Sequence, residues 1–261
     1  MDLGISGRVA LVFGASGGLG GGIARALARE GVVVALAGRN AAALEAVRAD
    51  IVAAGGRAEA IVWDLADLSA IEANASAVEA LVGPVDILVN NTGGPPPTTA
   101  GGQDLDVWRR HFEAMVLSVI GVTDRFLPGM RARRWGRVLT STTSGVIAPI
   151  PNLGLSNALR SSLVGWSKTL AREVAADGVT VNMLVPGRIE TDRVRRLDAA
   201  RAAQSGKPIE QVVAEGAALI PVGRNGTPEE FGAVAAFLAS AGASYVTGSQ
   251  IRVDGGLIAS V

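Results

Sequence analysis

The residues best suited to chemistry are a cluster of glycines that follows the first apolar run of the chain. The segment Gly14-Ala15-Ser16-Gly17-Gly18-Leu19-Gly20 leads directly into a helical pattern whose apolar face includes Ile23 and Leu27. Glycines permit a tight turn and the close approach of a pyrophosphate, while free N–H groups and the helix dipole favour its negative charge. The competing interpretation is a turn that needs glycine only for packing. The segment predicts a dinucleotide site with contacts from Gly14, Ser16, Gly17, Gly18, Leu19 and Gly20.

The end of the second predicted strand indicates which dinucleotide is bound. Sites that prefer NAD usually carry an acidic residue here to bind the ribose diol, but this chain has Leu36-Ala37-Gly38-Arg39. A guanidinium suits a 2′-phosphate better than a bare diol. Arg39 therefore favours NADP over NAD, unless it is only a solvated surface residue.

Composition and charge limit the other partners. The 24 basic and 24 acidic residues balance without collecting in one tail, so no nucleic-acid partner is expected. Cysteine is absent and His111 is the single histidine, which argues against disulfides and a protein-built metal site. Every long apolar run is cut by charge, glycine or proline, so we expect a cytoplasmic protein without membrane contact that acts on a small molecule.

Strand-like apolar runs alternate with helical patterns along almost the whole chain. The predicted strands are Arg8–Phe13, Val32–Ala37, Arg57–Trp63, Ile87–Asn90, Gly136–Thr140, Thr180–Leu184 and Gln250–Val253. The predicted helices are Leu19–Glu30, Ala41–Ala54, Leu68–Leu81, Gln103–Arg131, Leu155–Ala176 and Pro228–Ala239. This alternation predicts an α/β domain whose parallel strands are buried on both faces. Residues 188–226 interrupt the pattern and predict a substrate lid within a single domain spanning residues 1–261.

Further motifs follow the glycine turn: Asp64-Leu65, Asn90-Asn91-Thr92-Gly93, Pro186-Gly187 with Ile189 and Thr191, and Val253-Asp254-Gly255-Gly256. Together with the turn, in which Phe13 replaces the usual threonine, they resemble the short-chain dehydrogenase/reductase family, in particular its 3-oxoacyl-acyl-carrier-protein reductase-like branch. The resemblance implies a single-domain Rossmann fold with a doubly wound, seven-stranded parallel sheet. It also implies an adenosine site at Asp64, Leu65, Asn91 and Gly93, and a nicotinamide site at Pro186, Gly187, Ile189 and Thr191.

The same resemblance calls for a catalytic tyrosine followed on one helix face by a lysine. Residues 161–173 match the family's helix without a gap and place Ser156 at the tyrosine position and Arg160 at the lysine position. The family's serine corresponds to Thr142 by its spacing to Gly145, although its neighbours in the run 141–144 stay open as alternatives. The family's asparagine corresponds to Ser118. All of these positions therefore depart from the family pattern.

The replacements predict a weakened proton relay. A tyrosine has a pKa of about 10 that a nearby cation lowers further, whereas a serine hydroxyl is shorter and much less acidic. Arg160 keeps a positive charge and can bind a cofactor ribose or an anionic substrate, but it cannot cycle its proton. His111, seven residues before Ser118, is an alternative acid; the competing interpretation is that it packs at an interface.

Three hypotheses about function follow. The first is an NADP-dependent oxidoreductase with a non-standard active site that acts on a carbonyl or an alcohol. The second is a non-catalytic NADP-binding protein with a sensor or assembly role, and the third is a different chemistry, such as an elimination or isomerisation, on the same scaffold. The resemblance also implies that the two longest helices pair with symmetry mates in a homotetramer or homodimer.

Overall fold

The computed structural model describes residues 2–260. Seven parallel strands form one sheet in the order β3-β2-β1-β4-β5-β6-β7. They are β1 Val9–Phe13, β2 Val33–Gly38, β3 Arg57–Val62, β4 Ile87–Asn90, β5 Gly136–Ser141, β6 Val179–Pro186 and β7 Gln250–Val253. Every predicted strand is confirmed, with ends that differ by at most a few residues. The order reverses between β1 and β4, which opens a crevice beyond the carboxyl ends of these strands.

Helices connect successive strands and cover both faces of the sheet. They are α1 Gly18–Arg29, α2 Ala41–Ala53, α3 Ile71–Val82, α4 Leu105–Phe112, α5 Ser118–Ala132, α6 Gly154–Val174, α7 Asp192–Ser205, α8 Ile209–Ala218 and α9 Pro228–Ala239. The single helix predicted over Gln103–Arg131 is wrong in one respect, because a π-helical turn at Glu113–Leu117 separates α4 from α5. No helix within residues 2–260 combines the length and apolar character needed to cross a bilayer.

The core lies in two layers. On one face, α1, α2 and α9 bury side chains such as Leu27, Leu44 and Phe231 against the sheet. On the other face, α3, α5 and α6 do the same with side chains such as Val78 and Phe126. Each helix thus presents one apolar stripe to the sheet, which places the loops at the strand ends where side chains can form a site.

The outer strands depart from the predicted burial. The strands β1, β2, β4, β5 and β6 are buried along nearly their whole length, as their continuous apolar runs predict. The prediction is wrong for the edge strands β3 and β7, because exposed residues interrupt β3 and the residues of β7 are only half-buried or exposed. An edge strand has a neighbour on one side only, so its sequence tolerates polar residues.

The segment 188–226 contains α7 and α8 and returns to its starting point. A bridge pairs Ile189 with Gly226 and so closes the segment at its base. Within it, Arg188 donates to both carboxylate oxygens of Asp198 in a largely buried ion pair. The helices therefore stand as a compact insertion between β6 and α9.

Candidate functional site

The glycine turn lies at the carboxyl end of β1, in the crevice of the sheet. Gly14 and Gly18 adopt left-handed φ values of 61° and 54°. A Cβ on Gly14 would lie 2.5 Å from Nδ2 of Asn91, so a side chain has no room there. The turn leads straight into α1, and no side chain caps the helix at Gly17. The free N–H groups of this helix end are the donors that a pyrophosphate needs.

A cavity of about 400 Å³ opens beside this turn. It is lined by the predicted residues Gly14, Ser16, Arg39, Asp64, Leu65, Asn91 and Gly93. The exposed Arg39 follows β2, and it forms no salt bridge among residues 2–260. The cavity therefore joins the residues predicted for the diphosphate, the 2′-phosphate and the adenosine.

Several lining residues were not predicted. Trp63 follows β3, is 1% exposed, and packs its ring edge-on against Phe13 at 4.9 Å. Its position next to Asp64 was the available signal, since a strand-end aromatic beside a cofactor motif commonly lines a pocket. Ala114 and Met115 lie in the π-helical turn, which no sequence pattern predicted.

Two successive asparagines, the last residue of β4 and the one after it, make different contacts. Asn90 is 2% exposed and its Nδ2 donates to Oγ1 of Thr123 on α5 at 3.1 Å, so it ties the sheet to the helix. Asn91 donates from Nδ2 to the carbonyl of Phe13 at 3.2 Å and lines the cavity. Asn91 therefore fixes the loop after β4 to the end of β1.

The motif after β6 contacts the glycine turn through Thr191. Pro186 ends β6, and the N–H of Gly187 donates to the carbonyl of Val253 at 2.9 Å. Ile189 is 4% exposed. Thr191 caps α7, and its methyl group lies 3.3 Å from where a Cβ on Gly18 would stand. The predicted nicotinamide segment is thus brought against the glycine turn.

Three of the catalytic positions carry hydroxyl groups, and two of these donate to the backbone. Ser118 is fully buried and donates to the carbonyl of Ala114 at 2.8 Å, one turn earlier in its helix. Thr142 is 6% exposed and donates to the carbonyl of Leu184 at 3.0 Å. Ser156 is 4% exposed on the first turns of α6. None of these hydroxyls has the acidity of a phenol.

Arg160 lies one turn after Ser156 on α6 and is 8% exposed. Its Nη2 donates to the carbonyls of Thr92 and Gly93 at 3.2 and 2.8 Å, and its Nη1 donates to the carbonyl of Ser141 at 3.4 Å. Burial, and then repulsion from Arg193, lowers its pKa to about 10. Arg160 therefore joins α6 to the loops after β4 and β5, and it keeps its charge at neutral pH.

His111 occupies a different part of the crevice from Ser118. It lines the cavity with Gly93, Ala114 and Met115, next to the predicted adenosine residues. The π-helical turn lies between His111 and Ser118 and shifts the register of the two side chains relative to a continuous α-helix. The structure therefore places His111 at the cavity beside the predicted adenosine residues.

The residues of the crevice fit a dinucleotide. A Cβ on Gly20 would meet the carbonyl oxygen of Gly14 at 2.2 Å, so the turn admits only backbone at its base. The uncapped end of α1, the cavity and the guanidinium of Arg39 together supply donors for phosphate groups. Within residues 2–260, no group of three or more histidine or acidic side chains is arranged to hold a metal ion.

Comparisons with known proteins agree with this geometry. The family profile described as Enoyl-(Acyl carrier protein) reductase matches residues 14–258. The 3-oxoacyl-[acyl-carrier-protein] reductase FabG of Escherichia coli (strain K12) is 35% identical over 254 residues, which cover 96% of this chain and 97% of that protein. L-sorbose reductase from Gluconobacter frateurii, solved with NADPH and L-sorbose, superimposes with a TM-score of 0.95 at 30% identity over 100% of both chains. The 3-oxoacyl (acyl-carrier-protein) reductase from Agrobacterium tumefaciens C58, solved with NADP, gives 0.88 at 33% identity over 97% of this chain and 95% of that one.

Proposed function

The chain belongs to the short-chain dehydrogenase/reductase family, and we propose that it is an NADP-dependent oxidoreductase that acts on a small carbonyl or alcohol through a non-standard active site. The observation that carries the proposal is the cavity beside the glycine turn, which joins Arg39 to the predicted adenosine residues. The NADPH-bound and NADP-bound relatives of the same fold support it.

The cofactor roles follow from the placement of the residues. The backbone of Ser16, Gly17, Gly18 and Leu19 would bind the diphosphate, Arg39 the 2′-phosphate, and Asp64, Leu65, Asn91 and Gly93 the adenosine. Gly14 and Gly20 would keep the base of the glycine turn free of side chains, and Pro186, Gly187, Ile189 and Thr191 would hold the nicotinamide end. Arg160, which faces the carbonyls of the loop after β4, would contact the adjoining ribose. Residues 188–226 would close over the substrate as a lid.

The substrate side of the proposed reaction differs from the family pattern. The bound cofactor supplies or accepts the hydride, and the protein must manage the substrate oxygen. Ser156 can donate one hydrogen bond to that oxygen, but its hydroxyl is too weak an acid to release a proton readily at neutral pH. Arg160 supplies a fixed positive charge that stabilises negative charge on the oxygen. With no positioned acid, the substrate oxygen must take its proton from solvent, and this route is slower than transfer from a positioned acid by about 10²–10⁴-fold.

A second candidate function is binding of NADP without catalysis. The specific observation in its favour is the use of the Ser118 and Thr142 hydroxyls, which donate to backbone carbonyls and are committed to holding the fold. In that case the cofactor would act as a ligand that the protein senses or that stabilises an assembly. The two candidates share every cofactor contact and differ only in turnover.

Titration of the protein with NADPH and NADH tests the shared part of the proposal. We expect NADPH to bind more tightly, and we expect Arg39→Ala to remove most of the difference by weakening NADPH alone, because a 2′-phosphate then loses its cation. Arg57→Ala is a matched control. Arg57 is also exposed, but it begins β3 and therefore lies at the edge of the sheet opposite to the carboxyl ends of the strands, where Arg39 lies. Equal affinities for both cofactors in the unmodified protein would contradict the proposal.

Transfer of deuterium from 4-deuterated NADPH to a ketone separates the two candidates. An oxidoreductase must place the label on the carbon of the product alcohol, even when turnover is slow. A binding protein takes up NADPH with the same affinity and transfers no label. Mass analysis of the alcohol after prolonged incubation, with boiled protein as a blank, gives the answer.

A further inference from the structure

Two guanidinium groups flank the loop Thr92–Gly94 at the edge of the crevice. Arg160 reaches the loop from α6 and donates to the carbonyls of Thr92 and Gly93. It forms no salt bridge among residues 2–260, although its side chain is almost completely buried. A buried cation that is held only by carbonyl oxygens lacks the counter-charge that usually offsets its desolvation.

Arg193 reaches the same loop from the first turn of α7. Its Nη1 and Nη2 lie 2.9 and 3.1 Å from where a Cβ on Gly94 would stand, so only a glycine allows this guanidinium so close to the backbone. The acidic neighbours of Arg193 are engaged elsewhere: Arg195 pairs with Asp192 at 2.5 Å and with Glu190 at 3.9 Å. Arg193 itself forms no salt bridge within residues 2–260.

The two cations therefore stand near each other without an acid between them. Repulsion from Arg193 contributes to the lowered pKa of Arg160, as already described. Thr92 adds an unused polar group at the same loop, because its Oγ1 is buried and has no hydrogen-bond partner within residues 2–260. Two positive charges beside one loop repel each other, and a bound anion would offset this repulsion. A planar carboxylate matches the fork of a guanidinium.

The position of the two arginines indicates that the anion belongs to the substrate. Arg160 lies on α6 one turn after Ser156, and Arg193 lies in the first turn of α7, within the insertion 188–226. Both guanidinium groups meet at the loop Thr92–Gly94, one from the helix that carries Ser156 and one from the proposed lid. We propose that Arg193 binds the carboxylate of an anionic carbonyl or alcohol substrate in this crevice, and that the buried positive charge of Arg160 behind the loop favours the same anion.

This proposal rests on the proposed oxidoreductase function and adds a substrate class to it. An anionic oxygen has a second source in the crevice, the diphosphate of the cofactor, since Arg193 is two residues from Thr191, which lies against Gly18. The two sources differ in which ligand loses affinity when the cation is removed. Binding of each ligand to the same variants therefore separates them.

The experiment measures two probes on protein saturated with NADP⁺. Calorimetry gives the affinity for acetoacetate, a small 3-oxo carboxylate, and for methyl acetoacetate, which keeps the ketone and lacks the charge. Fluorescence titration gives the affinity of each variant for NADPH. The variants are Arg193→Gln and, as a matched control, Arg196→Gln, which removes an exposed arginine of the same helix that forms no salt bridge within residues 2–260.

We expect acetoacetate to bind more tightly than its methyl ester, and Arg193→Gln to weaken acetoacetate about tenfold, the typical worth of one charge-assisted contact. The affinity for the ester and for NADPH stays unchanged in that variant, and Arg196→Gln alters nothing. Equal binding of acetoacetate and the ester, absent binding of acetoacetate, or an unchanged acetoacetate affinity in Arg193→Gln would overturn the proposal.

The NADPH titrations have two further outcomes with different meanings. Weaker NADPH binding by Arg193→Gln with unchanged acetoacetate binding would assign the guanidinium to the cofactor diphosphate, and this also overturns the proposal. Failure of the unmodified protein to bind NADPH would instead contradict the proposed oxidoreductase function. The NADPH titration of the unmodified protein therefore tells the two failures apart.

Discussion

Single residues at the catalytic positions explain both what the site retains and what it lacks. Ser156 and Arg160 share one face of α6, so the geometry of a paired donor and cation persists although both chemical types have changed. Arg160 donates to carbonyls at the ends of two different strands. A lysine, whose flexible side chain ends in one ammonium group, would match these separated acceptors less well. The cation has therefore become part of the loop structure, and the hydroxyl beside it is a weak acid.

The glycine turn gives the sharpest prediction for a single residue. Gly14→Ala places a Cβ 2.5 Å from Nδ2 of Asn91 and forces a side chain into a left-handed conformation with φ 61°. We expect a loss of stability of at least about 1 kcal/mol and a larger loss of NADPH affinity, because the turn that binds the diphosphate must shift. Chemical denaturation and fluorescence titration measure the two effects.

Gly165→Ala provides the control for that substitution. Gly165 lies within α6, a Cβ added there would meet no neighbouring atom within 4 Å, and its φ is not left-handed. Alanine there should leave NADPH affinity unchanged and raise stability by up to about 1 kcal/mol, since it favours the helix. Equal NADPH affinities for Gly14→Ala and Gly165→Ala would refute the assigned role of the turn.

At the scale of elements, the close contact between α1 and α9 fixes the helix that carries the diphosphate site. A Cβ on Gly22 would lie 2.3 Å from the carbonyl oxygen of Pro228, whereas a Cβ on Gly21 first meets the flexible end of Arg25 at 3.1 Å. We expect Gly22→Ala to destabilise the protein by about 1–3 kcal/mol through overpacking. Gly21→Ala, its neighbour in the same helix, should cost little, and denaturation midpoints for the pair decide the matter.

The sequence predicts most elements because each has a local signal. Pro228–Ala239 is recovered to the residue, since Thr227 and Glu230 form a capping box around the proline at its start. The π-helical turn within the predicted helix Gln103–Arg131 leaves no such signal, because it arises where α4 and α5 pack against α6. The same limit applies to Arg193, whose approach to Gly94 depends on where α7 lies in the folded chain.

The site is predicted to the same extent and for the same reason. Cofactor motifs are short and local, so Arg39, Asp64 and Asn91 are found from sequence and do line one cavity. The acceptors of the Ser118 and Thr142 hydroxyls depend on which carbonyls lie nearby in the folded chain, and no spacing rule gives that. The hydrogen bonds of these two hydroxyl groups to the backbone can therefore be found only in the folded structure.

At the scale of the whole molecule, exposed apolar side chains favour association. Leu105 is 67% exposed and Phe112 is 39% exposed on α4, and Leu117 is 39% exposed in the π-helical turn that follows. Pairing of this surface with a symmetry mate would remove it from water. We therefore predict a homotetramer or homodimer.

Light scattering at micromolar concentration tests this prediction. We expect the mass of a tetramer or dimer for the unmodified protein and a lower mass for Phe112→Glu, because a charge at the paired surface costs desolvation. Val52→Glu is the matched control, since Val52 is 47% exposed on α2 and away from that surface. A monomer in the unmodified protein would contradict the prediction.

The central claim is that a cofactor site of ordinary construction stands beside a proton relay that has lost its acid. The most direct measurement is steady-state NADPH oxidation with a panel of ketones. It compares the unmodified protein, Ser156→Ala, the single variants Ser156→Tyr and Arg160→Lys, and the double variant that combines these two changes. The account predicts slow turnover for the first two and a higher rate for the double variant than for either single change, because a phenol needs a cation beside it and the ammonium needs an acid to activate. Brisk NADPH-dependent turnover by the unmodified protein that survives Ser156→Ala would show that another group donates the proton and would contradict the account.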